Sequence, residues 1–379
     1  MDFNDHRKPL ENVEFYAKKL RAWKHAFDAS EKSKDDFYLR EMDISLFFWI
    51  KNNSSKSNAS IMWDLRRSFK GKGIVMCVSD KYALLALSTI RMIRQVHQSQ
   101  LPIEIFYIGN NDLSPVNQKR FNSISNTTTV DIQELVDVDS INISGWSVKT
   151  FAMLLSSFKE AMLVDADVVF MQSPETFFKT RTFQNHRALF FQDRTINIDK
   201  NRGKVQETFL KALTIDLSSE RLVENRYASG KGEHQQESGV VLIDKNDRFQ
   251  GLVAACILNS GDFKKETYKY VHGDKETFWM GFEIMNQDYG FSPYKPGAIS
   301  SFDRKDQRHL CSVQLMHFDE NFKPSWINGG VLDNKLLDPE KPAKMEVWSA
   351  EPAHYWYSLS LFSITYYLIG MALRNTIYA

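Results

Sequence analysis

The chain has 379 residues and a formal net charge of +1, with 48 lysine and arginine residues against 47 aspartate and glutamate residues. This balance excludes binding to nucleic acid that depends mainly on neutralising phosphates. An aromatic content of 13% excludes disorder over most of the chain, and three scattered cysteines exclude a disulfide scaffold or a structural zinc site. The length is sufficient for one large α/β domain or two medium ones.

Residues 1–70 are expected to form a helical N-terminal extension rather than a separate catalytic unit. Within it, the stretch 51–60 is rich in asparagine and serine, which favours a loop. The first residues are charged throughout, so we expect no signal peptide and no N-terminal membrane anchor in the sequence as given.

From Gly73 to about Phe170, short apolar runs alternate with amphipathic helical patterns. The runs GIVMCVSD, IEIFYIGN, TTTVDIQEL and AMLVDADVVF predict strands, and YALLALSTIRMIRQV and SGWSVKTFAMLLSSF predict helices. This alternation predicts βα units and a mostly parallel sheet, whose ligands bind beyond the carboxyl ends of the strands. The block contains neither G-x-G-x-x-G nor G-x-x-x-x-G-K-[ST], which argues against a Rossmann dehydrogenase or a P-loop NTPase.

The C-terminal tail, residues 336–379, contains a long apolar stretch. No formally charged residue occurs between Pro352 and Leu373. We expect an apolar helix that is buried or lies at an interface, with contact to a membrane as the alternative. The sequence therefore divides into the extension 1–70, a catalytic domain 71–335 and this tail.

The strongest functional signal is the pair Asp165 and Asp167 inside the apolar run AMLVDADVVF. If the run is one strand, both side chains point to the same side, about 7 Å apart at Cα. Two such carboxylates repel each other and are poorly solvated, and a divalent cation removes both costs. Oxygen ligands of this kind favour Mn²⁺ or Mg²⁺, which also bind diphosphates. Asp137 and Asp139 have the same spacing but polar neighbours, and we interpret them as a solvated strand end.

Two later clusters provide further candidates. In QLMHFDENFKPSW, His317 is a candidate third metal ligand and Lys323 a candidate cation for a departing diphosphate, although a histidine at a strand end is more often simply a satisfied polar residue. ESGVVLIDK predicts a buried strand after Glu237, and HGDKETFW predicts a turn and a helix start near Asp274. These two acids either line an acceptor pocket, face an anomeric carbon, or act only as caps.

Together these motifs resemble the fungal Mnn1-type α-mannosyltransferases, which have the GT-A nucleotide-diphospho-sugar transferase fold. The resemblance runs from about Gly73 to Gly330, through SGWSVKTFAMLLSSFKEAMLVDADVVFMQSPETFF, LFFQDRT, QQESGVVLIDK, HGDKETFW and MHFDENFKPSW. The layout is also similar to that of the glycogenin-like retaining transferases. The resemblance implies an α/β fold with a mostly parallel central sheet flanked by helices.

The resemblance implies a metal-dependent retaining glycosyltransferase that moves mannose from GDP-mannose to a glycan or glycoprotein acceptor. The metal, Mn²⁺ or Mg²⁺, is expected on Asp165, Asp167 and His317, and the catalytic candidates are Glu237, Asp274 and Lys323. The expected substrate-binding residues are Ser79, Asp80, Tyr82, Lys149, Ser238, Gly239, His272, Gly273 and Trp326.

Several alternatives stay open at the level of the sequence. The donor is either GDP-mannose or a UDP-sugar carrying galactose, glucose or N-acetylglucosamine, because nothing readable in the base pocket separates GDP from UDP. A catalytically silent carbohydrate-binding scaffold is a third interpretation. Double displacement and front-face attack are equally compatible with the residues. The resemblance also implies a location in the Golgi, where such enzymes normally have an N-terminal anchor and stalk.

Overall fold

A computed structural model describes residues 9–30, 37–51, 60–300 and 314–329, and the backbone of four further strands between 332 and 358. Its helices are α1 (Pro9–Ala29), α2 (Phe37–Leu46), α3 (Ile61–Ser68), α4 (Ala83–Arg91), α5 (Gly109–Asp112), α6 (Pro115–Asn122), α7 (Val138–Ile141), α8 (Val148–Leu155), α9 (Arg181–His186), α10 (Lys200–Ala212), α11 (Phe249–Leu258), α12 (Gly261–Thr267) and α13 (Thr277–Ile284).

Its strands are β1 (Lys72–Cys77), β2 (Ile103–Tyr107), β3 (Thr127–Asp131), β4 (Glu160–Val164), β5 (Val169–Phe170), β6 (Ala188–Gln192), β7 (Gln236–Asp244), β8 (Gly290–Phe291), β9 (Gly297–Ser300), β10 (Leu315–Phe318), β11 (Pro324–Asn328), β12 (Leu332–Asn334), β13 (Asp338–Pro342), β14 (Val347–Ala350) and β15 (Ala353–Ser358).

The central sheet has seven strands in the order β3-β2-β1-β4-β7-β6-β8. Strands β3, β2, β1 and β4 are parallel, and only β7 runs antiparallel to its neighbours. Every residue of β7 is buried, as expected for a strand covered on both faces. Helices flank the sheet, so the predicted α/β class with a mostly parallel central sheet is confirmed.

A second sheet has six strands in the order β15-β14-β9-β10-β11-β5, with antiparallel neighbours. Strand β5 brings the chain from the central sheet into this one, because Val169 pairs with Ile327 on β11. The prediction that AMLVDADVVF forms a single strand is therefore wrong. The run forms β4 and β5, which belong to different sheets, and residues 165–168 form the turn between them.

The N-terminal helices share one hydrophobic core with the helices that cover the central sheet. Phe27 of α1 stacks on Trp63 of α3, with ring centroids 4.2 Å apart, and also contacts Phe249 of α11. Trp49, which follows α2, packs edge-on against Phe151 of α8. The described part of the predicted extension therefore packs directly on the sheet-flanking helices.

The prediction of an apolar C-terminal helix is wrong for the part of the tail that is described. Residues Ala353–Ser358 form β15, which pairs with β14, and β14 pairs with β9 of the second sheet. The consecutive aromatic residues in AHYWYS are as compatible with a strand as with a helix, and the pairing with β14 decides between them. The rest of the predicted helix lies outside the described residues. Among the described helices, none combines the length and apolarity needed to cross a membrane.

A buried carboxylate fixes the three N-terminal helices relative to one another. Asp43 of α2 accepts hydrogen bonds from Trp23 Nε1 (2.7 Å), from the Ser60 hydroxyl and from the Met62 N–H (3.2 Å). Burial raises the pKa of Asp43, and the hydrogen bonds from Ser60 and Trp23 oppose that rise. One side chain thus satisfies donors from α1, from α3 and from the cap of α3.

We expect Asp43→Ala to lower the free energy of unfolding by about 2–4 kcal/mol, because it leaves three buried donors without an acceptor. Glu41→Ala, an exposed site on the same helix, is the matched control and is expected to change stability by less than about 0.5 kcal/mol. Urea denaturation of both variants measures the difference. Equal stabilities for the two variants would contradict this role of Asp43.

Candidate functional site

A cavity of about 690 Å³ lies beyond the carboxyl ends of β1, β2 and β4. This is the place where open parallel sheets bind their ligands. The lining residues come from the ends of these strands and the segments that follow them, from the start of α8, and from α12 and the residue after it. They include Val78, Ser79, Tyr82, Ile108, Asp112, Trp146, Lys149, Asp165, Ala166, Asp167, Lys264 and Tyr268.

Asp165 and Asp167 lie on the tight turn between β4 and β5. The Asp165 N–H continues the β7 ladder by donating to the Gly239 carbonyl (2.9 Å), and the Val168 N–H donates back to the Asp165 carbonyl (3.2 Å). The buried hydroxyl of Thr89 on α4 lies 2.9 Å from the carbonyl oxygens of both Ala166 and Val168. The two aspartates are therefore presented by a clamped turn and not by one face of a strand.

Lys149 is the cation paired with this turn. A reciprocal cap between Ser144 and Ser147 starts the helical segment that positions it in the first turn of α8. Its Nζ lies 2.7 Å from Asp165 Oδ1, 2.9 Å from Oδ2, and 3.9 Å from Asp274 Oδ1. Burial alone would lower the pKa of Lys149, but the carboxylates of Asp165 and Asp274 outweigh it and raise the pKa.

The electrostatics of the turn indicate too little positive charge for its carboxylates. Burial raises the pKa of Asp165 to about 6, and the neighbouring Asp167 adds to the rise, although Lys149 opposes it. A divalent cation on the two carboxylates would remove this penalty, so the donor set fits such an ion. Within the described residues, however, no group of three or more His, Cys, Asp or Glu side chains is close enough together to hold a metal.

His317, the predicted third ligand, is fully buried on β10 and is not assembled with the two aspartates into such a group. Its ring stacks on its cross-strand partner Trp326, with centroids 3.9 Å apart, and contacts the edge of Phe191. Burial lowers the pKa of His317 to about 3, so the imidazole is neutral. Among the described residues, neither ring nitrogen has a hydrogen-bond partner, so the interpretation of His317 as a satisfied polar residue finds no partner there.

Glu237 lies on β7 beside an ion pair that the sequence did not reveal. Its Oε1 accepts from the Gly239 N–H and from Asn328 Nδ2, both at 3.0 Å. Burial raises the pKa of Glu237 to about 7, and the negative charge of Asp193 adds to this rise. Asp193 itself is paired with Lys275 Nζ at 2.5 Å, which keeps its pKa low despite burial.

Asp274, the other acidic candidate, is also buried, and its Oδ2 has no hydrogen-bond partner in the described part of the chain. Just before it, Gly273 has φ +70°, and a Cβ there would lie 2.9 Å from the Trp146 ring. The exposed His272 packs against the same indole, with centroids 5.1 Å apart. The turn carrying His272, Gly273 and Asp274 is thus fitted against Trp146, which is 53% exposed at the cavity wall.

The remaining predicted substrate-binding residues divide into two groups. Ser79, Tyr82 and Lys149 line the cavity. The others are not among the residues that line it, and their part in substrate binding stays a prediction: Asp80, Ser238, Gly239, His272, Gly273 and Trp326.

Three of these residues have identifiable structural roles. Asp80 accepts hydrogen bonds from the Ser114 N–H and hydroxyl and from Asn117, so it holds the start of α6. Trp326 is fully buried, where it packs against His317 and Phe191. Gly239 permits that burial, because a Cβ there would lie 2.8 Å from the Trp326 ring.

Lys323 is also not where the catalytic prediction requires it. It lies in the turn between β10 and β11, where its backbone N–H and carbonyl both bond to Asp319. The residue is exposed and does not line the cavity. A lysine on the turn of a two-stranded hairpin points to solvent unless a ligand or another segment covers it.

Asp137 and Asp139, the second pair of aspartates with the same spacing, lie on a solvated turn. Asp137 is exposed and its side chain accepts from the Ser140 N–H at 3.3 Å, which caps α7. Asp139 is likewise exposed, and neither residue lines the cavity.

Sequence reasoning missed Asp193, Lys275 and Thr89. Asp193 directly follows the apolar strand β6, a pattern like that of Asp165 after β4, and this signal was available in LFFQDRT. Lys275 adjoins Asp274, but nothing local indicates that it pairs with Asp193. Thr89 is an ordinary position of an amphipathic helix, so only the fold reveals its contact with the turn.

The chain is similar in sequence to several fungal mannosyltransferases, and solved glycosyltransferase structures resemble it at lower sequence identity. Alpha-1,3-mannosyltransferase MNT3 of Saccharomyces cerevisiae is 26% identical over 320 residues, covering 75% of this chain and 50% of that protein. Alpha-1,3-mannosyltransferase MNN1 of the same organism is 24% identical over 363 residues, covering 80% and 45%. The chain thus spans about half the length of the curated relatives it matches.

Among solved structures, the mannosyltransferase Ktr4p from S. cerevisiae in complex with GDP is 12% identical, with 76% of this chain and 84% of that chain covered and a TM-score of 0.36. The galactosyltransferase LgtC in complex with donor and acceptor sugar analogues is 13% identical, with 59% and 73% covered and a TM-score of 0.36.

The mannosyltransferase family model Mannosyl_trans3 matches residues 71–319, which include β1–β10, the paired aspartates and Lys149. This match covers well over half of the chain, so the chain belongs to this mannosyltransferase family.

Proposed function

We propose that the chain is a metal-dependent retaining α-mannosyltransferase that moves mannose from GDP-mannose to a hydroxyl group of a glycan acceptor. The observation that carries the proposal is the clamped turn with Asp165 and Asp167 at a large cavity, beside the buried Lys149. Membership of the mannosyltransferase family and the names of the relatives, which are α-1,3-mannosyltransferases, support the choice of sugar.

Asp165 and Asp167 would hold Mn²⁺ or Mg²⁺, with His317 as the proposed third ligand. When bound, the cation supplies positive charge to the diphosphate as it leaves the sugar. Lys149 keeps Asp165 ionised and oriented through two contacts below 3 Å. Its own charge, buried beside the cavity, also favours negative charge developing on a diphosphate there.

The positions of the two acidic candidates favour front-face attack over double displacement. A covalent intermediate needs a carboxylate that reaches the anomeric carbon. Glu237 and Asp274 are both buried, and neither is among the residues that line the cavity. Glu237 is further occupied by two hydrogen bonds on one oxygen, from the Gly239 N–H and from Asn328 Nδ2. In this proposal both acids shape the charge around Lys149 and do not bond to the sugar.

A donor screen tests the proposed function. The purified chain is incubated with GDP-mannose, GDP-glucose, UDP-galactose, UDP-glucose or UDP-N-acetylglucosamine, with Mn²⁺ or with EDTA. We expect release of GDP from GDP-mannose that requires Mn²⁺ and increases with an α-mannoside acceptor. Turnover of a UDP-sugar but not of GDP-mannose would overturn the donor assignment. Turnover that persists in EDTA would overturn the proposed metal dependence.

Removing either carboxylate of the turn is expected to abolish transfer without unfolding the protein. Asp165→Asn and Asp167→Asn should each reduce kcat/KM by about 100-fold or more, because the bound cation loses a ligand and the diphosphate loses its counter-charge. Asp137→Asn, the matched control outside the cavity, should retain near-normal activity. Activity assays and thermal unfolding of the three variants provide the measurement. An inactive Asp137→Asn beside an active Asp167→Asn would show that the wrong pair was chosen.

His317→Phe separates the two interpretations of the buried imidazole. The phenyl ring preserves the stack on Trp326 while removing both ring nitrogens. If His317 ligates the cation, Mn²⁺ affinity should fall about tenfold or more, and the loss should couple to that of Asp167→Asn in a double-mutant cycle. Unchanged Mn²⁺ affinity together with a higher melting temperature would identify His317 as a merely unsatisfied core residue.

A further inference from the structure

One end of the cavity carries a carboxylate that the proposed reaction does not use. Asp112 closes the short helix α5 after β2, while the paired aspartates follow β4. Strand β1 lies between β2 and β4 in the sheet. Because neighbouring strands are about 4.8 Å apart, β2 and β4 lie about 10 Å apart across β1. This spacing leaves room for a ribose between a diphosphate at Asp165 and a base at Asp112.

The Asp112 carboxylate has one oxygen engaged and one available. Its Oδ2 accepts from the Ile108 N–H at 2.9 Å. No lysine or arginine of the described part of the chain forms an ion pair with it, and no hydrogen bond is made by its Oδ1 there. Burial raises the pKa of Asp112, and the charges of Asp80 and Asp131 add to this effect. The Asp112 carboxylate is therefore stabilised by a ligand that donates hydrogen bonds to it, and it repels a ligand that presents hydrogen-bond acceptors.

The surroundings of Asp112 fit a flat, largely apolar ring. Val78, Tyr82 and Ile108 line the same cavity and provide aliphatic and aromatic surface. Aromatic side chains stack on nucleobases of any sequence, so these walls provide affinity without choosing the base. The choice must come from polar groups at the edge of the ring, and Asp112 is the lining carboxylate that lies away from the paired aspartates.

We infer that Asp112 reads the base of the donor nucleotide and that this base is guanine. Guanine presents two adjacent donors, N1–H and the 2-amino group. Oδ1 of Asp112 can accept from one of them, and the second lone pair of Oδ2 can accept from the other while the Ile108 N–H keeps its bond. Uracil presents one N–H between two carbonyl acceptors, and both acceptors would face a negative charge. The inference rests on the proposed function, since it places the donor in this cavity, and it deepens that function by assigning the residue that separates GDP from UDP.

Nucleotide binding tests the inference without any turnover. Affinities of GDP, IDP, XDP and UDP are measured by titration calorimetry in the presence of Mn²⁺. IDP lacks the 2-amino group of guanine, and XDP has a carbonyl group in its place. The wild-type chain should bind GDP about tenfold or more tightly than IDP, and more tightly than UDP, because the missing donor leaves the carboxylate unpaired.

Asp112→Asn is the decisive variant, with the exposed Asp139→Asn as its control. The asparagine can still accept from the Ile108 N–H, so the loop is preserved, while its amide group becomes a donor toward the base. We expect the preference for GDP over IDP to disappear and XDP to bind better than GDP, a gain that an unfolded pocket cannot produce. Asp139→Asn should retain the wild-type order.

The outcomes separate this inference from the proposed transfer. If the wild type prefers GDP and Asp112→Asn keeps the wild-type ratios, the role of Asp112 is overturned while GDP-mannose remains the proposed donor. If the wild type prefers UDP, the guanine assignment and the GDP-mannose donor fall together.

Discussion

The passage of the chain from the central sheet to the second sheet at residues 165–168 is the constraint on which the candidate site depends. Here β4 ends, a tight turn forms, and β5 joins β11. The hydroxyl of Thr89 lies within hydrogen-bond distance of two carbonyl groups of the turn, Lys149 holds the first carboxylate, and Gly239 anchors its N–H. A turn held from α4, α8 and β7 at once has little freedom to relax, so two like charges can be kept near each other without the backbone moving apart.

Two buried lysines compensate the acidic charges of the same region. Lys149 forms ion pairs with Asp165 and Asp274, and Lys275 forms one with Asp193. Neither arrangement neutralises every carboxylate, and the remaining imbalance is expressed in the raised pKa values of Asp165 and of Glu237. A protein that stabilised only its own fold would gain from replacing such charges with apolar groups. A cationic ligand beside the cavity, as in the proposed function, would offset this imbalance.

Strands and helices with a clear hydrophobic period were predicted well from the sequence, and the points where the chain passes from one sheet to another were predicted poorly. Strands β1 to β3 and helix α4 have clear periodicity and lie where the pattern placed them, whereas α5 and α6 between β2 and β3 were not predicted. AMLVDADVVF has no feature that marks a change of sheet, because the change is decided by pairing with β11, far away in the chain. The same holds for β15, whose aromatic residues fit a helix or a strand until β14 provides a partner. Asp112 was missed for a different reason, since its polar context in GNND lacks the apolar flanks that made Asp165 conspicuous.

The resemblance placed three substrate-binding residues after β1, and the structure separates them into two groups. Tyr82 and Ser79 line the cavity, but the carboxylate of Asp80 holds the start of α6, where Ser114 and Asn117 donate to it. In the inference drawn above, the carboxylate that distinguishes one base from another is Asp112 of α5, after β2. On that inference, the choice of nucleotide would depend on the segment after β2 and charge compensation on the turn after β4, with the largely buried β1 between them. Asp112 is not in contact with Asp165 or Asp167. A substitution of Asp112 can therefore alter the preferred nucleotide while the geometry of the paired aspartates stays as it is.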